Sequence, residues 1–466
     1  METTALSDPE HKHPNSDSRG SRIVRALRHR NYRLFFGGQL VSVIGTFLTN
    51  TATAWLAYTL APDPHKKAMV IGIVGFMSQI PLFILGPVAG VWIDRMNRQK
   101  LLVLTQTLSM LQSFALAGLA LAHVINIPEV IVLALVQGLI NAFDIPARQA
   151  FVVEMVTDRD DMANAIALNS TMVHSARLIG PAAAGLLIRY VGIGWCFLLD
   201  GFSYLAVIAA LIAMHIQPRP PKPRASVLSE VKEGFQYVVN FGPARVLLIL
   251  MAIFSLSGIP AMMVLLPIFG SYFGPAGNSQ GAQMFGFLSA CSALGALAGA
   301  IYLASRKTVV GLGRLIGVSS AVYALALAAF AVSRHLWLSM LIVPFGGWGM
   351  ITLFASANTI LQTLADDDKR GRVMSFFAMS FIGMTPFGVL MAGALASHFA
   401  ANTDPVTGAT KTILIASGIC LAANIWFWTA LPGVRKIVRP IYVQRGIIPE
   451  IAEGLRVASA PTPTES

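Results

Sequence analysis

Long apolar runs separated by short polar stretches dominate the chain. A helix needs about 20 mostly apolar residues to cross a hydrocarbon core roughly 30 Å thick. Twelve runs reach that length: Leu34–Leu60, Met69–Trp92, Leu101–Ala122, Val130–Ala150, Ala163–Val191, Gly194–Met214, Val246–Phe269, Met284–Ala304, Leu315–Val332, Leu336–Leu361, Val373–Phe399 and Thr412–Leu431. None alternates apolar and polar with the period of two that barrel strands require. The pattern predicts an all-α membrane protein with twelve transmembrane helices.

Between the sixth and seventh runs, Gln217–Arg245 is polar, charged and Pro-rich at its start. The predicted organisation is a basic tail (1–33), a six-helix bundle (34–216), a linker (217–245), a second six-helix bundle (246–432) and a second tail (433–466). The first tail has no apolar stretch, so no cleavable signal peptide is expected. Its Arg22–Arg33 end reads as a short basic helix at the membrane surface. At one constant offset Asp158 falls on Asp366, Gly180 on Gly388 and Gly185 on Gly393. That echo maps span five onto span eleven, six spans apart, and so predicts halves of parallel orientation.

Composition strengthens this picture. The chain is 55% hydrophobic and 12% charged, against about 25% charged in soluble domains. A chain with so few charges uses the lipid bilayer as part of its solvent. The formal net charge of +12 could suggest nucleic acid, but its distribution does not. Of the 34 basic residues, all but Lys66, Lys67, Arg177, Arg189, Arg334 and Lys411 fall in the tails and the loops that share their side. That bias predicts cytoplasmic termini. The three cysteines, Cys196, Cys291 and Cys420, lie in or beside apolar runs without metal spacing, so neither a disulfide nor a metal site is expected.

Between runs two and three stands Gly90-Val-Trp-Ile-Asp94-Arg95-Met-Asn97-Arg98-Gln-Lys100. This resembles the major facilitator signature G-x-x-x-D-R-x-G-R-R/K, with Asn97 where Gly is usual and Gln99 at a commonly basic position. Asn tolerates the left-handed conformation, so the turn is expected to survive. The resemblance implies two six-helix halves rocking about a central passage. It also implies a gate in which Asp94 meets the start of span eleven, Arg370-Gly371-Arg372, as charge to dipole and charge to Arg372.

A narrower resemblance covers nearly the whole chain. The segments His29–Gly45, Asp144-Ile-Pro-Ala-Arg-Gln-Ala150, Arg177-Leu-Ile-Gly-Pro181 and Arg370-Gly-Arg-Val373 are similar to the enterobactin-exporter and macrolide-efflux branch. That branch implies proton-linked export of siderophores or drugs. Gly180-Pro181-Ala-Ala-Ala-Gly185 resembles a degenerate form of the antiporter motif of span five and implies close helix approach and a bend there. Ala134 stands where the family's span-four motif usually carries Arg.

Polar residues in a lipid-embedded helix belong toward protein or water. Three runs carry them at alternating three- and four-residue intervals, which makes one stripe per helix. These stripes are Gln39, Ser42, Thr46, Thr49 and Thr53; Gln137, Asn141, Asp144 and Arg148; and Thr352, Ser356, Thr359 and Thr363. The family implies that spans one, four, seven and ten line the passage, so these are expected cavity residues; interhelical hydrogen bonding is the plainer alternative. Acids are scarce. None occurs from Gly234 through Ala365, and only Asp144 and Asp200 lie clearly within spans. Asp144 is expected to pair with Arg148. Arg177 and Asp200 fall at a matched height of about 21 Å on adjacent helices. They read as a buried ion pair, either structural or coupled, and His174 adds a titratable group.

The expected function is alternating-access export of small amphipathic molecules across a bacterial inner membrane by a monomer coupled to protons. No G-x-x-x-x-G-K-S/T occurs, so no ATP site is expected, nor any cofactor. Metabolite uptake or lysolipid movement on the same fold is the alternative, as is a nontransporting sensor. Gly277-Asn-Ser279-Gln-Gly281 formally matches G-x-S-x-G, but it lacks strand–turn–helix context and does not indicate an enzyme.

Overall fold

The computed structural model describes residues 25–93, 95–156, 159–215, 236, 238–274, 278–306, 308–366, 369–445 and 447. Most of the predicted linker, Asp94 of the signature and Asp158 of the internal echo lie outside them. Twelve helices are long and apolar enough to cross a membrane. They are Arg30–Leu60, Lys67–Ile93, Arg98–Leu121, Ile127–Met155, Arg159–Tyr190, Ile193–Ala213, Gly242–Phe273, Asn278–Ala304, Leu312–Val332, Leu336–Leu364, Arg370–Ala400 and Pro405–Gln444, here numbered as spans one to twelve. No strand occurs among the described residues, and Ser279 sits in the first turn of span eight. The last helix runs on to Gln444, well past the predicted end at Leu431.

Each half forms its own bundle. Span one packs on spans five and six, span two on four, and span three on four and six. In the second half, span eight packs on ten, and span nine on ten and twelve. The internal echo reappears as matching contacts. A side chain at Gly180 of span five would strike Ile44 and Leu48 of span one, and one at Gly388 of span eleven would strike Leu256 of span seven. Leu48 and Leu256 are related by the same offset as the two glycines. Gly185 and Gly393 instead face the other half, against Ala282 of span eight and Ala68 of span two.

Spans seven and eleven are irregular together. Span seven breaks at Ser257 into Gly242–Leu256 and Gly258–Phe273. Span eleven loosens into a π turn over Met379–Gly383. Such a turn disturbs the regular ladder, and the Phe381 carbonyl accepts from the hydroxyls of Thr385 (2.8 Å) and Ser255.

The halves touch on the side remote from the termini. His65 Nδ1 lies 2.8 Å from the Ala400 carbonyl, and Met69 N–H donates to Ser397 Oγ at 3.0 Å. Arg189 donates to Gln283, and Trp55 stacks on Phe285 with ring centroids 6.3 Å apart. Toward the termini the same surfaces separate. Ala167 and Thr171 lie on the face of span five that carries Gly185, five and four turns earlier, and both are exposed. The first turns of span eleven, Arg370–Ala378, pack on spans seven and ten of their own half. Among the described residues the molecule is therefore closed on the far side and open on the side of the termini.

The basic stretch before span one does not lie free as a surface helix over its described part. Arg25–Arg28 form a 3-10 turn with Ala26 fully buried. Arg25 donates to Asp161, and His29 Nε2 lies 2.9 Å from the same carboxylate. Ala26 N–H donates to Asn164 Oδ1 at 2.9 Å, and the Tyr32 hydroxyl to the Ala165 carbonyl at 2.8 Å. Two charge-bearing contacts and two neutral ones tie the turn to span five, where an amphipathic helix would need only lipid.

Candidate functional site

Span three turns its apolar residues outward and its polar ones inward. Leu104, Leu108 and Leu111 are exposed, whereas Thr105, Gln106, Ser109, Gln112 and Ser113 are all buried. Outward apolar residues meet lipid without cost, while polar groups need partners that lipid cannot supply. They find them on two carboxylates. Asp144 of span four is 2% exposed. It accepts from Thr105 Oγ1 at 2.8 Å and from Gln106 Nε2 at 2.7 Å, and Arg148, one turn along its own helix, closes the expected ion pair. Asp200 of span six is 1% exposed. It accepts from Ser113 Oγ at 2.8 Å, and Ser203 Oγ lies 3.4 Å from it.

Between the two acids the track continues. Gln137 Nε2 donates to Ser109 Oγ at 3.3 Å and to Asn141 Oδ1 at 3.1 Å. Gln112 Oε1 lies 3.5 Å from Ser113 Oγ. Thr105 and Ser113 are eight residues apart, so the acids are served by groups about 12 Å apart along span three. The five span-three residues were missed in the sequence reading. Their signal was there: polar side chains recurring at helical spacing opposite a leucine stripe.

The expected Arg177–Asp200 ion pair does not form. Arg177 lies over the Phe47 ring, 5.6 Å from its centroid, with half-buried His174 one turn before it. Asp200 packs against Gly45 of span one, where an added side chain would meet Ser203 Oγ at 2.6 Å. Matched height does not fix which way a residue points around its helix. Span six aims Asp200 at spans one and three, while span five aims Arg177 at span one's aromatic face.

The polar stripes divide. Gln39, Ser42, Thr352 and Ser356 are each at most 1% exposed, which removes them from any open passage in this state. Gln39 and Ser42 are flanked by Gly38 and Gly45, whose added side chains would strike span six. Thr352 sits against Gly299 of span eight. Neither expectation accounts for these four: they are closed off by helix packing, and Gln39 Nε2, Thr352 Oγ1 and Ser356 Oγ find no hydrogen-bond partner among the described residues. Thr46, Thr49, Thr53, Gln137, Asn141 and Thr359 are half-buried. Thr359 lines a cavity of 140 Å³ within the second half, beside Leu303 and Arg306.

In the signature segment Asn97 is extended, with φ −69° and ψ 109°, rather than left-handed. Its side chain accepts from Lys100 N–H at 3.0 Å and caps span three. Replacing Gly by Asn here supplies a helix cap, which Asn provides well. Arg98 pairs with Glu154 of span four, Gln99 Nε2 donates to the Leu211 and Met214 carbonyls at 2.6 and 3.0 Å, and Arg95 is exposed. An added side chain at Gly90 would meet nothing within 4 Å. Span five runs helical through Pro181 from Arg159 to Tyr190.

Comparison with known proteins points one way. Residues 23–435 match a family described as transmembrane secretion effector. The chain is 24% identical over 399 residues to the staphyloferrin A transporter of Staphylococcus aureus, covering 85% of this chain and 95% of that protein. It is 22% identical over 384 residues to the enterobactin exporter of Escherichia coli, covering 82% and 88%. Among solved structures, an inward-facing, unoccupied bacterial homologue of the human lysosomal transporter Spinster superposes with TM-score 0.67 at 14% identity, over 89% of this chain and 98% of that one. A D-xylose–proton symporter superposes with TM-score 0.64 at 13% identity, over 84% and 96%.

Proposed function

The chain belongs to the transmembrane secretion effector family, with the major facilitator fold, and from that premise we propose that it exports a siderophore-like amphipathic molecule in exchange for protons. It is a multi-pass transporter related to siderophore exporters, not an enzyme. Export and substrate class are drawn from the two named relatives. Proton exchange is drawn from the buried Asp144, whose partners sit on spans three and four. Spans seven to twelve contain no acid, so a carboxylate that couples must lie in the first half.

Protonating Asp144 would remove one charge of its pair with Arg148 and so change what Arg148 binds. Only a differential effect on two conformations can move their equilibrium. Arg148 is half-buried while Asp144 is buried, so the guanidinium is the partner placed to face the opening. The positive-inside bias supports cytoplasmic termini in the bacterial inner membrane, which makes the present state inward-open. In the opposite state, Asp94 and Arg372 would form the clamp at the start of span eleven, and Gly180, Pro181 and Gly185 would let span five shift against its neighbours.

The test is efflux from vesicles of both orientations under an imposed pH gradient, with catecholate and carboxylate siderophores as substrates and a protonophore control. Wild-type protein should move substrate against its gradient only while the pH gradient lasts, and Asp144→Asn should abolish that dependence. Gradient-driven efflux that survives Asp144→Asn at the wild-type rate would falsify the coupling role. Accumulation in the reverse direction would instead indicate uptake.

A further inference from the structure

A second cavity lies away from the acids, inside the second half and at its terminus-side end. It measures about 390 Å³ and sits between spans seven, nine, ten and twelve, within the roughly 300–1,000 Å³ range of small-molecule sites. Leu247, Ile360 and Phe427 form apolar walls, and Arg314, Arg435 and Arg439 line the same cavity. All three arginines are exposed, and no acidic residue lines the cavity. None of the three forms an ion pair among the described residues.

Span twelve explains where this cavity sits. Its 40 residues reach about 60 Å, twice the hydrocarbon thickness of roughly 30 Å. Its apolar run ends at Leu431, so the turns that follow lie at and beyond headgroup level, and together with Leu431 they supply Val434, Arg435, Val438, Arg439 and Tyr442 to the lining. Span nine begins opposite at Leu312, with Arg314 in its first turn. The small Gly313 beside Arg314 leaves room for the Leu431 side chain, whose Cδ1 would lie 3.0 Å from an added Cβ. Cations at headgroup level above an apolar hollow match a molecule with an anionic head and a hydrocarbon tail, and basic pockets between transmembrane helices hold anionic headgroups.

We propose that this cavity is a binding site for an anionic glycerophospholipid of the terminus-side leaflet, with its phosphate among Arg314, Arg435 and Arg439 and an acyl chain against Leu247, Ile360 and Phe427. Because the cavity is formed by four spans of one half, the lipid would brace that bundle and the start of span nine, without entering the passage between the halves.

The full-length chain in neutral detergent would be titrated with phosphatidylglycerol, phosphatidylcholine of the same chains, or inorganic phosphate. Native mass spectrometry would read the bound lipid and scanning fluorimetry the Tm. Phosphatidylglycerol should be retained and raise Tm; phosphatidylcholine and inorganic phosphate should not. One arginine near an anionic surface changes affinity by about fivefold. Arg435→Gln should therefore weaken retention about fivefold, and the triple Arg314→Gln, Arg435→Gln, Arg439→Gln variant should lose it. Val434→Trp should also reduce retention by filling the hollow while keeping every charge. A control variant with Arg30→Gln, Arg33→Gln and Lys100→Gln, exposed on the same side but outside the cavity, should bind as wild type. Equal loss in that control, equal retention of phosphatidylcholine, or unchanged binding in Val434→Trp overturns the proposal. So does phosphatidylglycerol binding that appears only after residues 448–466 are removed, because the chain's own tail would then be the occupant.

Discussion

Two acids buried to a similar degree have opposite surroundings. Asp144 has a guanidinium one turn away and two neutral donors, Thr105 and Gln106. Asp200 is met by hydroxyls, from Ser113 and Ser203. Removing one member of a buried pair leaves an uncompensated charge and costs about 3–5 kcal/mol. Arg148→Gln should therefore lower the unfolding temperature markedly, while the double Asp144→Asn, Arg148→Gln variant should recover most of the loss, since two amides can hydrogen-bond across the same turn. Scanning fluorimetry of the purified variants decides it: a single Arg148→Gln variant as stable as wild type would mean that the pair is solvated. The Asp144–Arg148 contact was legible in the sequence because i,i+4 spacing on one helix fixes both separation and direction. The Arg177–Asp200 pairing was not, because height along two different helices leaves rotation about each axis open.

At the level of elements, helix ends are where single side chains matter. Asp404 caps span twelve, accepting from Val406 N–H at 2.9 Å, Thr407 N–H at 3.0 Å and Thr407 Oγ1 at 2.6 Å. The Thr407 hydroxyl, helped by these backbone donors, holds its carboxyl below the usual carboxylate range. A carboxyl lowered on folding contributes stability that is full above its unfolded pKa of about 3.9 and lost as pH falls through the lower folded value. Asp404→Ala should cost about 0.5–2 kcal/mol at neutral pH. The gap to wild type should close in thermal melts taken as pH drops below that range; a constant gap would mean the carboxylate is not the capping group. Eleven of the span ends were readable to within a few residues of the apolar runs. The twelfth was not, because Leu431–Gln444 interleaves Arg435, Lys436 and Arg439 with apolar residues, a pattern that ends a transmembrane run while continuing a helix. Thr352 and Ser356 misled in the opposite sense. Their spacing is that of a water-facing stripe, but Gly299, which lets Thr352 pack close, belongs to span eight and leaves no mark on span ten.

For the whole molecule, the parallel repeat makes the interface between halves nearly interchangeable with packing inside each half. Gly180 and Gly388 serve the bundles, Gly185 and Gly393 serve the contact between them, and on each of the two helices the one kind sits five residues from the other. A rocking motion must therefore break the second set while keeping the first. The far-side contacts His65–Ala400 and Met69–Ser397 are small and mostly backbone-directed, as expected of a seam that opens each cycle. Joining His65→Cys to Ala400→Cys with a short, cleavable bifunctional thiol reagent, in a Cys291→Ser background, should stop transport, and reduction should restore it. The same reagent across two positions of one half, such as Ser109→Cys and Gln137→Cys, whose native side chains already meet at 3.3 Å, is no control, because it would disturb the acid track. Unreacted double-cysteine protein is the proper reference. Full transport after complete cross-linking at the far side would mean that substrate crosses without that seam opening, and the two-bundle rocking motion would have to be abandoned.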